Sequence, residues 1–153
     1  MLTIVHISFG FSALILGLFV LFMKKGSVVH RSLGLMYFVS IIILNITSFS
    51  ITTNTGSLGV FHLLAILNLV TTITAFFAIL YGSFRLHYYL MVWSYVGLLS
   101  ATINQIFASV PAAAALLESF PLINLGVIMS MFLATFIILP MLEDKMVNKY
   151  KPD

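Results

Sequence analysis

The chain holds four histidines, His6, His30, His62 and His87, and their spacing follows a repeated measure. His6 stands 20 residues before Gly26, and His62 stands 20 residues before Gly82. Each glycine opens a Gly-Ser pair, in GSVVHRSLG (Gly26–Gly34) and GSFRLHYYLM (Gly82–Met91), and a second histidine follows 4 residues later in one stretch and 5 in the other. Two imidazoles on facing helices can ligate a haem iron from both sides. With a third or fourth ligand they can hold zinc. An imidazole near a helix end can also reach lipid headgroups or loop carbonyls and bind nothing else.

What positions these histidines is set by composition. The 153 residues are 61% hydrophobic and 7% charged, with a mean hydropathy of +1.17. A water-soluble domain of this size could not hide that much apolar surface, so the chain is read as an integral membrane protein. The absence of cysteine excludes disulfides, thiolate metal sites and thiol redox chemistry. A scattered net charge of +3 gives no footprint for nucleic acid. There is no phosphate loop, Ser-His-Asp set or paired carboxylate, so hydrolase and NTPase chemistry has no support and no catalytic residue is assigned. Residues 1–23 lack a basic leading region and a small-residue cleavage site, and they are read as a retained first helix.

Charge and turn residues divide the chain into five expected spans at roughly 2–23, 28–53, 60–81, 86–110 and 122–142. AAAALLESF, between Pro111 and Pro121, is expected to be a short interfacial helix or loop, and 143–153 a tail. Lys24, Lys25 and Arg31 lie between spans one and two, Arg85 between three and four, and Lys145, Lys149 and Lys151 after span five. The positive-inside rule therefore puts the N-terminus outside and the tail in the cytoplasm.

The fold class expected is an all-α membrane bundle of five transmembrane helices in one domain. Its first four spans form a pseudo-twofold repeat of two helical hairpins, 2–53 and 60–110. An axis along the membrane normal would set His6 opposite His62 on the outer side and His30 opposite His87 on the inner side. The two levels would lie on the order of 20 Å apart at 1.5 Å per helical residue.

Two bis-histidine haem b sites are the sharpest reading of this arrangement. His6, Gly10, Ala13 and Gly17 share one helical face, a groove of small side chains that could cradle a macrocycle or serve close helix packing. Span two offers His30, Gly34 and Tyr37 on one face, and span four His87, Met91 and Ser94; span three is bulkier along its His62 face. Lys24, Lys25, Arg31 and Arg85 could bond haem propionates on the inner side, with Arg31 and Arg85 favoured because they adjoin the histidines. On the outer side only Asn54, Ser57 and backbone amides are available. A zinc site is the alternative, with Glu118 joining the outer pair or Glu143 or Asp144 the inner one. Asn45, Asn68, Asn104 and Gln105 lie deep in spans, where interhelical hydrogen bonding is their expected use. Tyr88, Tyr89 and Trp93 suit an interfacial aromatic belt.

The segments HRSLGLMY (His30–Tyr37) and HYYLM (His87–Met91), with the leading His6 and His62, resemble a bacterial family of small multi-pass membrane proteins built on a domain of unknown function. Its signatures are HR-x-x-G-x-x-Y and H-x-x-x-M, and the likeness covers most of residues 1–110. It implies a helical membrane bundle in the bacterial inner membrane and no particular activity. The order of the histidines is also similar to that of the transmembrane b-type cytochromes reduced by ascorbate. This chain has shorter inter-histidine spacings and lacks a basic outer site, so ascorbate is not carried over.

The expectation is a b-type cytochrome-like electron carrier in the lipid bilayer, exchanging electrons with a quinone or small reductant as a monomer or homo-oligomer. The alternative is a non-redox assembly subunit, partner-binding subunit or small transporter whose histidines are structural or metal-binding.

Overall fold

The computed structural model describes residues 1–51 and 60–146. Among them the elements are six helices: α1 (Leu2–Phe22), α2 (Val28–Ser48), α3 (Val60–Leu80), α4 (Phe84–Ser109), α5 (Pro111–Ser119) and α6 (Pro121–Met146). α1 to α4 are each long and apolar enough to cross a membrane, and Leu125–Met141 within α6 forms a shorter apolar run. The expected second span stops earlier than its apolar run, because α2 ends at Ser48 and the chain turns at Phe49 and Ser50. The Pro111–Pro121 segment is a helix, opened by a proline whose missing N–H costs nothing in the first turn.

Both tight turns follow from local chemistry. Gly26 and Gly82 hold φ of 74° and 77°, the left-handed conformation that glycine adopts without strain. After Gly82 the Ser83 N–H returns to the Ala78 carbonyl at 2.8 Å. After Gly26 the Ser27 hydroxyl accepts from the His30 N–H at 3.1 Å and caps α2. The two returning helices therefore start by similar means, with a histidine in the first turn of each.

The first four helices form a ring. α1 packs along α2, α2 along α3, α3 along α4, and α4 closes on α1, leaving α1 diagonal to α3 and α2 diagonal to α4. α5 and α6 pack on the outer side of α4. Trp93 stacks on Phe132 of α6 with ring centroids 5.3 Å apart, so this tryptophan serves a helix contact. The surface is apolar, with Phe22, Leu63 and Phe136 among many exposed large side chains, whereas Ser40, Asn45, Thr72, Ser94 and Ser100 are buried. That inversion of a soluble protein's pattern is the one hydrocarbon requires.

Ala13, Tyr37, Ile41, Tyr95 and Leu98 form the core of the ring. Gly17 admits it. A Cβ placed there would stand 2.4 Å from the Tyr95 ring and 2.9 Å from Tyr37, so only glycine lets both tyrosines reach α1. Gly17→Ala should therefore cost about 1–3 kcal/mol of stability through overpacking. Gly34→Ala, with nothing within 4 Å of its Cβ, should be neutral or slightly stabilising. Unfolding midpoints in detergent would check this, and equal midpoints for the two variants would contradict the packing described.

Candidate functional site

The ring order places the histidines on diagonal helices: His6 near the start of α1 and His62 near the start of α3, and His30 near the start of α2 and His87 near the start of α4. The two pairs, named inner (His30, His87) and outer (His6, His62) after the expected topology, differ in what surrounds them.

At the inner pair, His87 Nδ1 donates to the Ala75 carbonyl of α3 at 2.9 Å. That bond fixes the ring and leaves Nε2 as the basic nitrogen, the arrangement seen where a histidine ligates a metal and its other nitrogen is anchored. The His30 ring faces the Val20 carbonyl at the end of α1 and lies within electrostatic reach of His87 and Lys25. Its Nδ1 is buried and has no hydrogen-bond partner among the described residues. One turn further into α2, Gly34 borders open space. About 10 Å along the helix from the histidines, seven residues on, the Tyr37 and Ser94 hydroxyls bond at 2.8 Å and close the ring.

The outer pair is more fully engaged by protein. His6 Nδ1 lies 3.1 Å from both the Leu44 carbonyl and Thr47 Oγ1 of α2, so its N–H clasps the open ends of the first hairpin. His62 is buried, with its ring 6.0 Å from that of Phe49. The small residues below His6 are covered. Leu44 stands 3.2 Å from where a Cβ of Gly10 would be, Ala13 is fully buried in the core, and Gly17 receives Tyr95 and Tyr37. This face serves close helix packing, and a macrocycle does not fit along it as it stands. Asn54 and Ser57 lie outside the described residues, as do the side chains of Glu118, Glu143 and Asp144. Among the described residues no group of three or more His, Asp or Glu could hold a metal ion.

Between the two levels runs a chain of buried amides and hydroxyls. Asn45 Nδ2 donates to Asn68 Oδ1 at 3.3 Å, and Asn68 Nδ2 donates to the Ser94 carbonyl at 2.8 Å. Thr72 adds a bond to Asn68 Oδ1 at 3.3 Å, and the Tyr95 hydroxyl donates to the Leu14 carbonyl at 3.0 Å. Gly97 makes room, since a Cβ there would stand 2.9 Å from Asn68 Nδ2. Asn45 and Asn68 thus join helices, as expected of deep amides; Asn104 is buried on α4 and Gln105 is exposed. Sequence reasoning passed over Tyr95 and Gly97. Tyr95 continues the His87, Met91, Ser94 face of α4 by one more position, a periodicity that marks it as inward.

The cations divide differently from expectation. Arg31 is exposed, with Nε donating to the Gly26 carbonyl at 3.2 Å, and the Arg85 guanidinium lies 5.9 Å from the Tyr89 ring centroid. Lys25 is the one that turns inward. Its Nζ donates to the Val20 and Leu21 carbonyls at 2.8 and 2.6 Å, and its charge reaches both His30 and His87. Burial pushes its amine down to about 8, against the two carbonyls and the negative end of α1, which favour the ammonium.

A family model describing a predicted membrane protein (DUF2306) matches residues 3–143. The chain belongs to the DUF2306 family. This membership covers all four histidines and every helix that forms the ring. No curated protein and no solved structure matches the chain.

The central amide chain should register in the stability of the bundle. Tyr37→Phe should cost about 0.6 kcal/mol, a typical interhelical bond in a bilayer. Asn68→Ala should cost more, because it strips both Asn45 and the Ser94 carbonyl of a partner. In a double-mutant cycle of Asn45→Ala with Asn68→Ala, measured by unfolding in bicelles, strict additivity would contradict the bond between them.

Proposed function

We propose that this DUF2306 protein is a small b-type cytochrome-like electron carrier whose single haem is held by His30 and His87. The observation that carries the reading is the inner pair itself, on diagonal helices of one ring. His87 has its Nδ1 fixed by a backbone carbonyl, and His30 has a buried nitrogen without a hydrogen bond. One turn on from His30, Gly34 carries no side chain, and nothing stands within 4 Å of its Cβ position. When bound, the haem would supply one-electron redox chemistry. His30 and His87 would hold the haem through ring nitrogens, and the Ala75 carbonyl would keep the His87 tautomer with Nε2 free of a proton. Tyr37 and Ser94 would shut the pocket from the outer half, and the apolar ring would exclude water. Arg31 and Arg85 flank this end and could meet carboxylates at its rim. No group is assigned to His6 and His62, whose α1 groove is filled.

The topology belongs to the same proposal. The two Gly-Ser turns, both with left-handed glycine, support a duplicated hairpin. The apolar run of α6 supports a fifth span. The distribution of basic residues supports an N-terminus outside and a cytoplasmic tail in a bacterial inner membrane. A quinone or small reductant is the class of partner that such a carrier would exchange electrons with.

A non-redox reading has its own support. His6 and His87 both donate to carbonyls of a neighbouring helix, which is what purely structural histidines would do. One absorption spectrum separates the two. Full-length protein made in haem-replete cells should show a Soret band and an α-band sharpened by dithionite. His30→Ala should lose most of the bound haem, while His6→Ala keeps it. A colourless wild-type protein would favour structural histidines, and unchanged haem content in His30→Ala would remove the inner pair.

A further inference from the structure

Lys25 is placed oddly for a residue that only reports topology. Basic residues at a membrane boundary ordinarily extend toward headgroups and water. Lys24 is exposed in this way, whereas Lys25 folds back and ends on the Val20 and Leu21 carbonyls. The Val20 carbonyl that accepts from Lys25 is also the one the His30 ring faces, so one peptide oxygen sits between the ammonium and the imidazole. The ammonium has three donors and spends two on these carbonyls. It is held in place on a helix end and in a poorly screened setting, where a charge acts over several ångströms.

We propose that Lys25 is a fixed positive charge that would raise the reduction potential of a haem held by His30 and His87, favouring its reduced state. The inference rests on the reading of His30 and His87 as haem ligands. One electron enters the pair's site, supplied in the test by dithionite, and no bond to Lys25 forms or breaks. The added negative charge is stabilised by the nearby ammonium, so reduction becomes easier. The two carbonyl bonds keep the charge in one position, which makes its effect uniform from molecule to molecule. Arg31 and Arg85, more exposed and turned to other partners, contribute less.

Reductive titration of the full chain in detergent at pH 7 tests this by following the α-band. Lys25→Met should make reduction about tenfold less favourable, equivalent to about 59 mV for a one-electron couple. Lys25→Gln can still donate to the carbonyls without charge and should shift equally. Lys25→Arg should stay within about threefold of wild type, as should Lys24→Met. If Lys25→Met folds poorly, Lys25→Gln carries the comparison. An unshifted potential in Lys25→Gln, or an equal shift in Lys24→Met, overturns the role of Lys25 while leaving the haem reading intact. A wild-type protein without a Soret band overturns the haem reading and this inference with it.

Discussion

The Asn68 side chain gives the bundle its interior order. An amide in hydrocarbon has no water to fall back on, and each unmet donor or acceptor there costs free energy. Asn68 resolves this by accepting from Asn45 on α2 and donating to the Ser94 carbonyl on α4, while sitting on α3 itself. Three helices are thereby set in register by one residue. Gly97 lets the amide come close to α4, and Ser94, whose carbonyl it takes, turns its hydroxyl to Tyr37 on the opposite helix. The positions of the histidines at either end follow from that registration, since apolar packing against lipid-like surroundings discriminates poorly between neighbouring registers.

The two hairpins share an outline, and in each a histidine bonds back to its partner helix. In the first, the outer His6 bonds across to its partner helix at Leu44 and Thr47. In the second, the inner His87 does so at Ala75. His30 is left facing the end of α1, beside a lysine that the second hairpin has no counterpart for, because Arg85 stands where that turn's cation is and bends over Tyr89 instead. Whatever symmetry the spacing suggests, the two ends of the bundle are chemically distinct.

Much of this was legible in the residues. The long apolar runs and the breaks at Lys24-Lys25-Gly26 and Gly82-Ser83 follow from hydropathy and from the special backbone of glycine, whereas the segment between the prolines reads equally as helix or loop until α5 decides it. The joining of helices by Asn45 and Asn68 follows from the cost of a solitary amide in lipid. Other features turn on three-dimensional neighbours. A stripe of small residues below His6 reads alike whether it cradles a flat ligand or a tyrosine ring, and only the rotation of α4 brings Tyr95 to Gly17. Likewise Lys24 and Lys25 are indistinguishable in sequence. Both follow the end of α1, and in the turn there Lys24 is exposed while Lys25 lies back on the Val20 and Leu21 carbonyls.

The Tyr37–Ser94 bond bears on permeation. It links the diagonal helices at the centre of the ring, with the Tyr95 ring packed 6.3 Å from that of Tyr37 and both pressed on Gly17. A solute or ion moving along the bundle axis would have to part these rings and break that hydrogen bond before passing. The bundle is stoppered at its waist. Each half of its interior can then be polar, or hold a charge, while the bilayer around it keeps its resistance to leakage.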